Sequence, residues 1–183
     1  HIMRQNWQLW EGALTPEQCD ELIELCSENC KMSDGTVFSQ QDYTVTNTHR
    51  NTKVGFLSDP KINALIEYYY KEANRNAFNV EANYIPAAQY GEYSEGSYYK
   101  WHHDVNWESS SLYDRKISLV FQLSDPEDYE GGEFQFKYIE TPQNFKTRGS
   151  VLAFISYNEH QVTEVTKGMR RSLVCWVEGP RWR

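Results

Sequence analysis

The chain has 183 residues, 39% of them hydrophobic, with 26 acidic against 18 basic side chains and a formal net charge of -8. That length supports one domain with a real core. No apolar run approaches the roughly 20 residues a membrane helix needs, and so acidic a chain argues against a general nucleic-acid binder, although a basic peptide or protein remains a compatible substrate.

The aromatic load is 13 Tyr, 6 Trp and 8 Phe, as expected of a β-rich core. The four cysteines, Cys19, Cys26, Cys30 and Cys175, form no CxxC pair, which disfavours a zinc site of ordinary spacing. Without a secretory signal, the expectation is reduced thiols and a cytoplasmic location. His1 and Ile2 before Met3 read as a remnant of expression.

One domain is expected over 1–183, without repeats or a low-complexity linker. Residues 3–79 should be a helical support with a lid region, and 80–178 a β core. Thr15-Pro16-Glu17-Gln18 is a helix start, with Thr15 as N-cap, proline in the first turn and Gln18 at the third position. Cys19, Leu22, Ile23, Cys26 and Cys30 then follow helical spacing. Asp59-Pro60 starts a second helix, carried by Ile62, Leu65, Ile66, Tyr69 and Ala73. Between them the polar stretch 33–54 reads as a loop with short strands, a candidate lid.

From about residue 80 the texture changes. Residues 116–123, 133–138, 150–154, 161–165 and 171–177 read as strands bounded by Gly, Pro and Asp. Gly131-Gly132 is expected to be a hairpin turn at positive φ, and Gly168 another turn. The fold class is therefore α+β: a double-stranded β-helix (a cupin-like jelly roll) with N-terminal helices packed on one face.

The candidate site lies in this β region. On an extended chain residues i and i+2 share a face, so His102 and Asp104 reach one point while His103 turns away. The third ligand must come from another strand, and His160 fits. Two imidazoles and one carboxylate on one face of an octahedral metal define the non-heme Fe(II) oxygenase pattern. If 2-oxoglutarate supplies the electrons, its far carboxylate needs a cation. Arg170, ten positions after His160 and expected on the neighbouring strand, offers a bidentate guanidinium. Tyr93 or Tyr99 would complete that pocket. Trp101, Trp107 and Arg115 are candidates for a substrate groove, with aromatic packing at the barrel mouth as the plain alternative. His49 and Arg50 fall in the supposed lid.

Three ordered blocks carry a family resemblance. Residues 93–104 (YSEGSYYKWHHD) resemble the Y-x-x-G-x-x-Y-x-x-H-x-D stretch of the prolyl 4-hydroxylase superfamily of Fe(II)/2-oxoglutarate dioxygenases. Residues 124–134 (SDPEDYEGGEF) and 160–170 (HQVTEVTKGMR) are similar to the S-D-P-x-x-Y-x-G-G-E-L and H-x-V-T-P-V-T-x-G-x-R blocks of its bacterial PKHD-type branch. The resemblance covers about residues 90–177, with a weaker echo at 15–23.

It implies that His102, Asp104 and His160 bind Fe(II) and that Arg170 binds the C5 carboxylate of 2-oxoglutarate. Tyr93, then Tyr99, would contact that co-substrate, with Ser172 close by. O2 would be consumed and ascorbate would serve as reductant. The implied activity is hydroxylation of a prolyl residue in a peptide or protein, with succinate and CO2 released. The alternatives are the same chemistry on free proline, another amino acid or a small metabolite, and a non-catalytic metal-bearing binding module. The chain departs from the family pattern at Glu164, where the branch has proline, and at Gln122, where some animal prolyl hydroxylases have tyrosine.

Overall fold

The computed structural model describes residues 5–39, 42–44 and 49–183. The rest of the expected lid stretch, residues 40, 41 and 45–48, lies outside the described residues. Among these residues two α-helices and fifteen strands follow one another as β1 (Trp7–Trp10), α1 (Pro16–Asn29), β2 (Ser33–Asp34), β3 (Val37–Ser39), β4 (Asp42–Thr44), β5 (Arg50–Asn51), β6 (Lys53–Leu57), α2 (Pro60–Ala73), β7 (Ala88–Tyr93), β8 (Tyr98–His102), β9 (Tyr113–Gln122), β10 (Tyr129–Gly131), β11 (Phe134–Phe136), β12 (Val151–Ile155), β13 (His160–Val162), β14 (Val165–Gly168) and β15 (Arg170–Pro180).

Both helices start where the sequence places them. Thr15 and Gln18 form a reciprocal capping box on α1. The Asp59 side chain accepts from the amides of Lys61 and Ile62 on α2. These bonds satisfy amides that have no partner within the helix. Cys30 caps α1 rather than lying inside it. All four thiols are free, and burial pushes the Cys26 thiol up to about 12, so it behaves as a small apolar group.

A seven-stranded sheet runs β1-β12-β9-β15-β7-β6-β2, and a four-stranded sheet runs β11-β13-β8-β5. The period of two along the strands divides the residues of the large sheet between two environments. Ile117, Leu119 and Phe121 of β9 and Leu173, Cys175 and Val177 of β15 join one core with Leu22 and Cys26 of α1 and Ile62, Ile66 and Tyr69 of α2. The alternate residues Val120, Leu152 and Phe154, with Val174 beside them, pack on Phe136 and Phe145 instead. Helices thus cover one face of the sheet, and the other faces the barrel interior. The architecture is the expected α+β jelly roll.

Several expectations need correction. Residues 3–79 are not simply helical. They supply β1, which precedes the first helix and pairs with β12, and β6, which pairs with β7. Arg170 is not on the strand beside His160: β13 belongs to the four-stranded sheet and β15 to the seven-stranded one. Gly131 and Gly132 do adopt positive φ, 74° and 58°, but they join no hairpin. β10, which ends at Gly131, pairs with β14, and β11 after Gly132 pairs with β13, so the glycines move the chain from one ladder to another. A Cβ on Gly131 would lie 2.1 Å from the Glu164 carbonyl oxygen, which leaves glycine as the residue that fits.

Candidate metal centre

The site sits between the two sheets. Antiparallel pairing of β13 with β8 sets His160 directly across from His102. The two rings approach to 4.2 Å between centroids. Two steps along β13, from His160 to Val162, match three steps along β8, from His102 to Tyr99. This bulge resets the alternation of β8, so that Tyr99 and His102 both line the pocket. Lys100 is exposed, and Trp101 lies beside Lys137, whose Nζ is 5.8 Å from its ring centroid. Asp104 follows just beyond the strand end, its amide donating to Ser156 O at 2.9 Å.

The three side chains are aimed rather than merely near. Nδ1 of His102 is 2.7 Å from Lys100 O, and Nδ1 of His160 is 2.8 Å from Asn158 O. A carbonyl oxygen only accepts, so each Nδ1 carries the proton and each Nε2 presents a lone pair. Those Nε2 atoms lie 3.7 Å and 3.5 Å from Asp104 Oδ1. Oδ2 of Asp104 is held by the Ser118 hydroxyl at 2.7 Å, which leaves Oδ1 turned to the imidazoles. Burial, and next the neighbouring His160, push the His102 pKa well below its ordinary value, so the ring is the neutral, ligating form.

A metal fits this set. Two atoms each about 2.1 Å from one ion can lie at most about 4.2 Å apart, and both histidine–aspartate separations fall inside that bound. Among the described residues these three form the one group of His, Cys, Asp or Glu side chains close enough to share an ion. Nitrogen and carboxylate donors without thiolate suit Fe(II).

The rest of the pocket supplies charge and shape. Arg170 is 2% exposed. Its guanidinium carbon is 5.4 Å from the Tyr93 ring centroid, and no carboxylate among the described residues lies within ion-pair distance of it. A buried cation without a counter-charge is costly, so the site is built for an anionic ligand. Ser172 and Val174 follow Arg170 at alternate positions of β15 and line the same cavity. Burial pushes the Tyr99 hydroxyl up to about 12 and raises that of Tyr93, so both are neutral donors. The Tyr99 ring stacks on His102, centroids 3.4 Å apart, and Arg50 sits 4.3 Å from the centroid of that same ring.

A second hollow adjoins the metal pocket and shares Arg50, Gln89, Tyr99, Asp104 and Trp176 with it. Arg115 lines this outer groove, 4.0 Å from the Trp176 ring centroid. His103, which points away from the metal as expected, lines it too. Trp107 is half exposed beside the His103 ring, and neither it nor Trp101 lines either cavity. The sequence reading missed Gln89 and Trp176, and Arg50 had no assigned place in the pocket. Trp176 was within reach, because positions 170, 172, 174 and 176 alternate along one strand.

Comparison with known proteins agrees with this geometry. Residues 88–178 match the family model of the 2OG-Fe(II) oxygenase superfamily. A PKHD-type hydroxylase of Prochlorococcus marinus is 32% identical over 95 residues, which cover 51% of this chain and 42% of that protein. One from Gloeothece citriformis is 25% identical over 166 residues, covering 90% of this chain and 74% of the relative. The match thus spans less than half the length of the first and about three quarters of the second. Among solved structures, the viral collagen prolyl hydroxylase of Paramecium bursaria Chlorella virus-1, in complex with 2OG, superposes with a TM-score of 0.72 at 18% identity, covering 96% of this chain and 97% of that one. The Trichoplax adhaerens prolyl hydroxylase, bound to a hypoxia inducible factor peptide fragment, gives 0.73 at 14% identity, covering 94% and 83%. At such identities these two likenesses speak to the fold. The chain belongs to the 2OG-Fe(II) oxygenase superfamily, and the curated relatives it resembles are PKHD-type hydroxylases.

Proposed function

We propose that the protein is an Fe(II)- and 2-oxoglutarate-dependent dioxygenase that hydroxylates a prolyl residue in a peptide or protein. One observation carries this reading. Two imidazole lone pairs and a carboxylate oxygen converge in the same pocket as a buried guanidinium that has no carboxylate partner among the described residues. A module that only bound a metal would have no use for such a cation.

His102, Asp104 and His160 would hold Fe(II) on one face and leave the opposite positions for ligands. Arg170 would pair with the far carboxylate of 2-oxoglutarate, and the Tyr93 hydroxyl would donate beside it. When bound, iron, co-substrate and O2 supply the oxidising power that replaces a C–H hydrogen with hydroxyl, with succinate and CO2 as the other products. The protein's part is positioning. Ser118 fixes the Asp104 carboxylate, the carbonyls of Lys100 and Asn158 fix the two rings, and the Arg115–Trp176 ledge in the outer groove supports the target. A peptide suits that groove because it is continuous with the metal pocket and is lined by Phe56, Arg115 and Trp176. Ascorbate would keep the iron ferrous, and no charge pattern calls for nucleic acid. Among the described residues no helix is long and apolar enough to cross a membrane.

The test is succinate release from 2-oxoglutarate with Fe(II), O2 and ascorbate, run against a panel of proline-containing peptides and followed by mass spectrometry. A gain of 16 Da on a prolyl residue, coupled to succinate, supports the reading. Coupled turnover on free proline or another small molecule alone would move the target class. The absence of any 2-oxoglutarate turnover would favour a binding module.

A further inference from the structure

The two helices leave an apolar groove that the metal chemistry does not use. α1 buries Cys19, Leu22 and Cys26 in the core over the seven-stranded sheet. Between its outer side and the first turn of α2 lies a hollow of about 880 Å³. Leu14, Leu22, Leu25, Ala64 and Leu65 form its apolar floor. Leu25 and Leu65 are half-buried and Ala64 is exposed, so apolar surface is left for an incoming chain to cover. Among the described residues this groove shares none with the metal pocket or the hollow beside it. It lies on the helical side of the sheet, away from the barrel interior.

The rim carries one sign of charge. Glu21, Glu24 and Glu28 border the floor along α1. All three are exposed, and none has an ion pair among the described residues. Their spacing of three and then four puts them on one stripe of the helix, where like charges repel. Glu28 also stands in the last turn of α1, where the helix dipole disfavours an anion and no basic residue offsets it. Acids elsewhere on the helices are treated differently. Glu67 pairs with Lys71 and Glu72 with Arg75 on α2, and Asp20, outside the groove, pairs with Arg148. The acids that border the apolar floor are left without a cation.

We propose that the α1–α2 groove docks a basic amphipathic helix of a partner protein, its apolar face on Leu22, Leu25 and Leu65 and its Lys or Arg side chains against Glu21, Glu24 and Glu28. Apolar anchors set at helical spacing are what the helix-in-groove mode of recognition requires. From Glu21 to Glu28 is about two turns, roughly 10 Å, so cations three and seven residues apart on the partner run alongside the three acids. A second copy of this chain is a poor occupant, because a formal net charge of -8 opposes pairing across an acidic rim. The same rim repels anionic lipid headgroups and nucleic-acid phosphates. Docking here leaves the metal pocket open and needs neither iron nor 2-oxoglutarate, so it stands or falls apart from the function proposed above.

The experiment is a fluorescence-anisotropy titration of the full chain against a labelled peptide of about 14 residues. The peptide contains Leu, Lys and Ala alone, with the leucines on one helical face and the lysines flanking them. A scrambled peptide of the same composition keeps the charge and loses the apolar face. The ordered peptide should saturate and bind at least about 10-fold more tightly than the scrambled one. Glu21→Lys/Glu24→Lys/Glu28→Lys should weaken it at least about 10-fold, as three surface attractions become repulsions. A lysine at 28 suits the helix dipole, so α1 should stay folded. Leu25→Gln tests the floor by itself and should cost about 3- to 10-fold. Glu95→Lys/Glu108→Lys/Glu130→Lys changes the net charge equally at exposed acids outside the groove and should stay within about two-fold of wild type. Equal affinity for the two peptides overturns the proposal, as does equal loss in the two charge-reversed variants or no saturation by about 1 mM peptide. A wild-type dimer in sedimentation that the groove reversal disperses would also overturn it, because a second copy would then occupy the groove.

Discussion

The two sheets that enclose the site differ in nearly every physical respect. The seven-stranded sheet has strands of up to 11 residues, and its long β9 and β15 are buried on both faces, under the helices on one side and over the barrel interior on the other. The four-stranded sheet has strands of two to five residues, and Lys100 on β8 lies open to solvent. The thick sheet carries Arg170, Ser172 and Gln122, and the thin one carries His102 and His160. Most of the buried core lies on the first, and two of the three candidate metal ligands lie on the second. The thin sheet keeps its ligands in place through bonds outside its ladder: Lys100 O, Asn158 O and the hydroxyl of Ser118, which belongs to the thick sheet. Rigidity is thus lent across the pocket.

This division can be broken from either side. The largest effect should follow His160→Ala on the thin sheet. Metal affinity should fall by more than the roughly 100-fold that loss of an outer-sphere partner can cost, and turnover should vanish, while circular dichroism and the denaturation midpoint stay near wild type. Phe121→Ala on the thick sheet should do the reverse. Removing a fully buried ring that touches Tyr69 of α2 should cost about 3–5 kcal/mol in urea unfolding, with unchanged metal affinity in the molecules that remain folded. If Phe121→Ala weakened the metal as much as it weakened the fold, the separation would be wrong.

Smaller effects sharpen the contrast. Arg170→Ala should raise the 2-oxoglutarate requirement about 10- to 100-fold and leave metal affinity alone, as the anchor and the metal lie on opposite sheets. The smallest effect is one of pH on metal-free protein. His102 has a folded pKa well below its unfolded value of about 6.5. Above that value both states are neutral and the full stability is present. As pH falls below it, the unfolded chain takes up a proton that the folded chain refuses, so stability declines by at most about 1.4 kcal/mol per pH unit. Denaturation midpoints at pH 7.5 and 5.5 should show this decline in wild type and less of it in His102→Gln.

Local features were legible in the sequence. The Thr15 and Asp59 caps act within three residues, so their pattern announces the helices. The candidate ligand set was legible because His102 and Asp104 are close in the chain and His160 lies in a block of recognisable spacing. Long-range pairing left weaker marks. Nothing in Trp7–Trp10 tells that it will join Val151–Phe154 at a sheet edge. His160 and Arg170 are ten residues apart yet on different sheets, because the chain turns at Gly168, whose φ of 76° lets it pass against Asp128 O. The bulge opposite His160–Val162 could not be foreseen either, although it brings Tyr99 into the pocket beside His102.

Anomalous diffraction at the iron edge, from crystals soaked anaerobically with Fe(II) and 2-oxoglutarate, tests the account most directly. One strong peak within about 2.3 Å of Nε2 of His102, Nε2 of His160 and a carboxylate oxygen of Asp104, with the far carboxylate of the keto-acid on Arg170, is the predicted result. A peak elsewhere, or a keto-acid whose far end avoids Arg170, would contradict it.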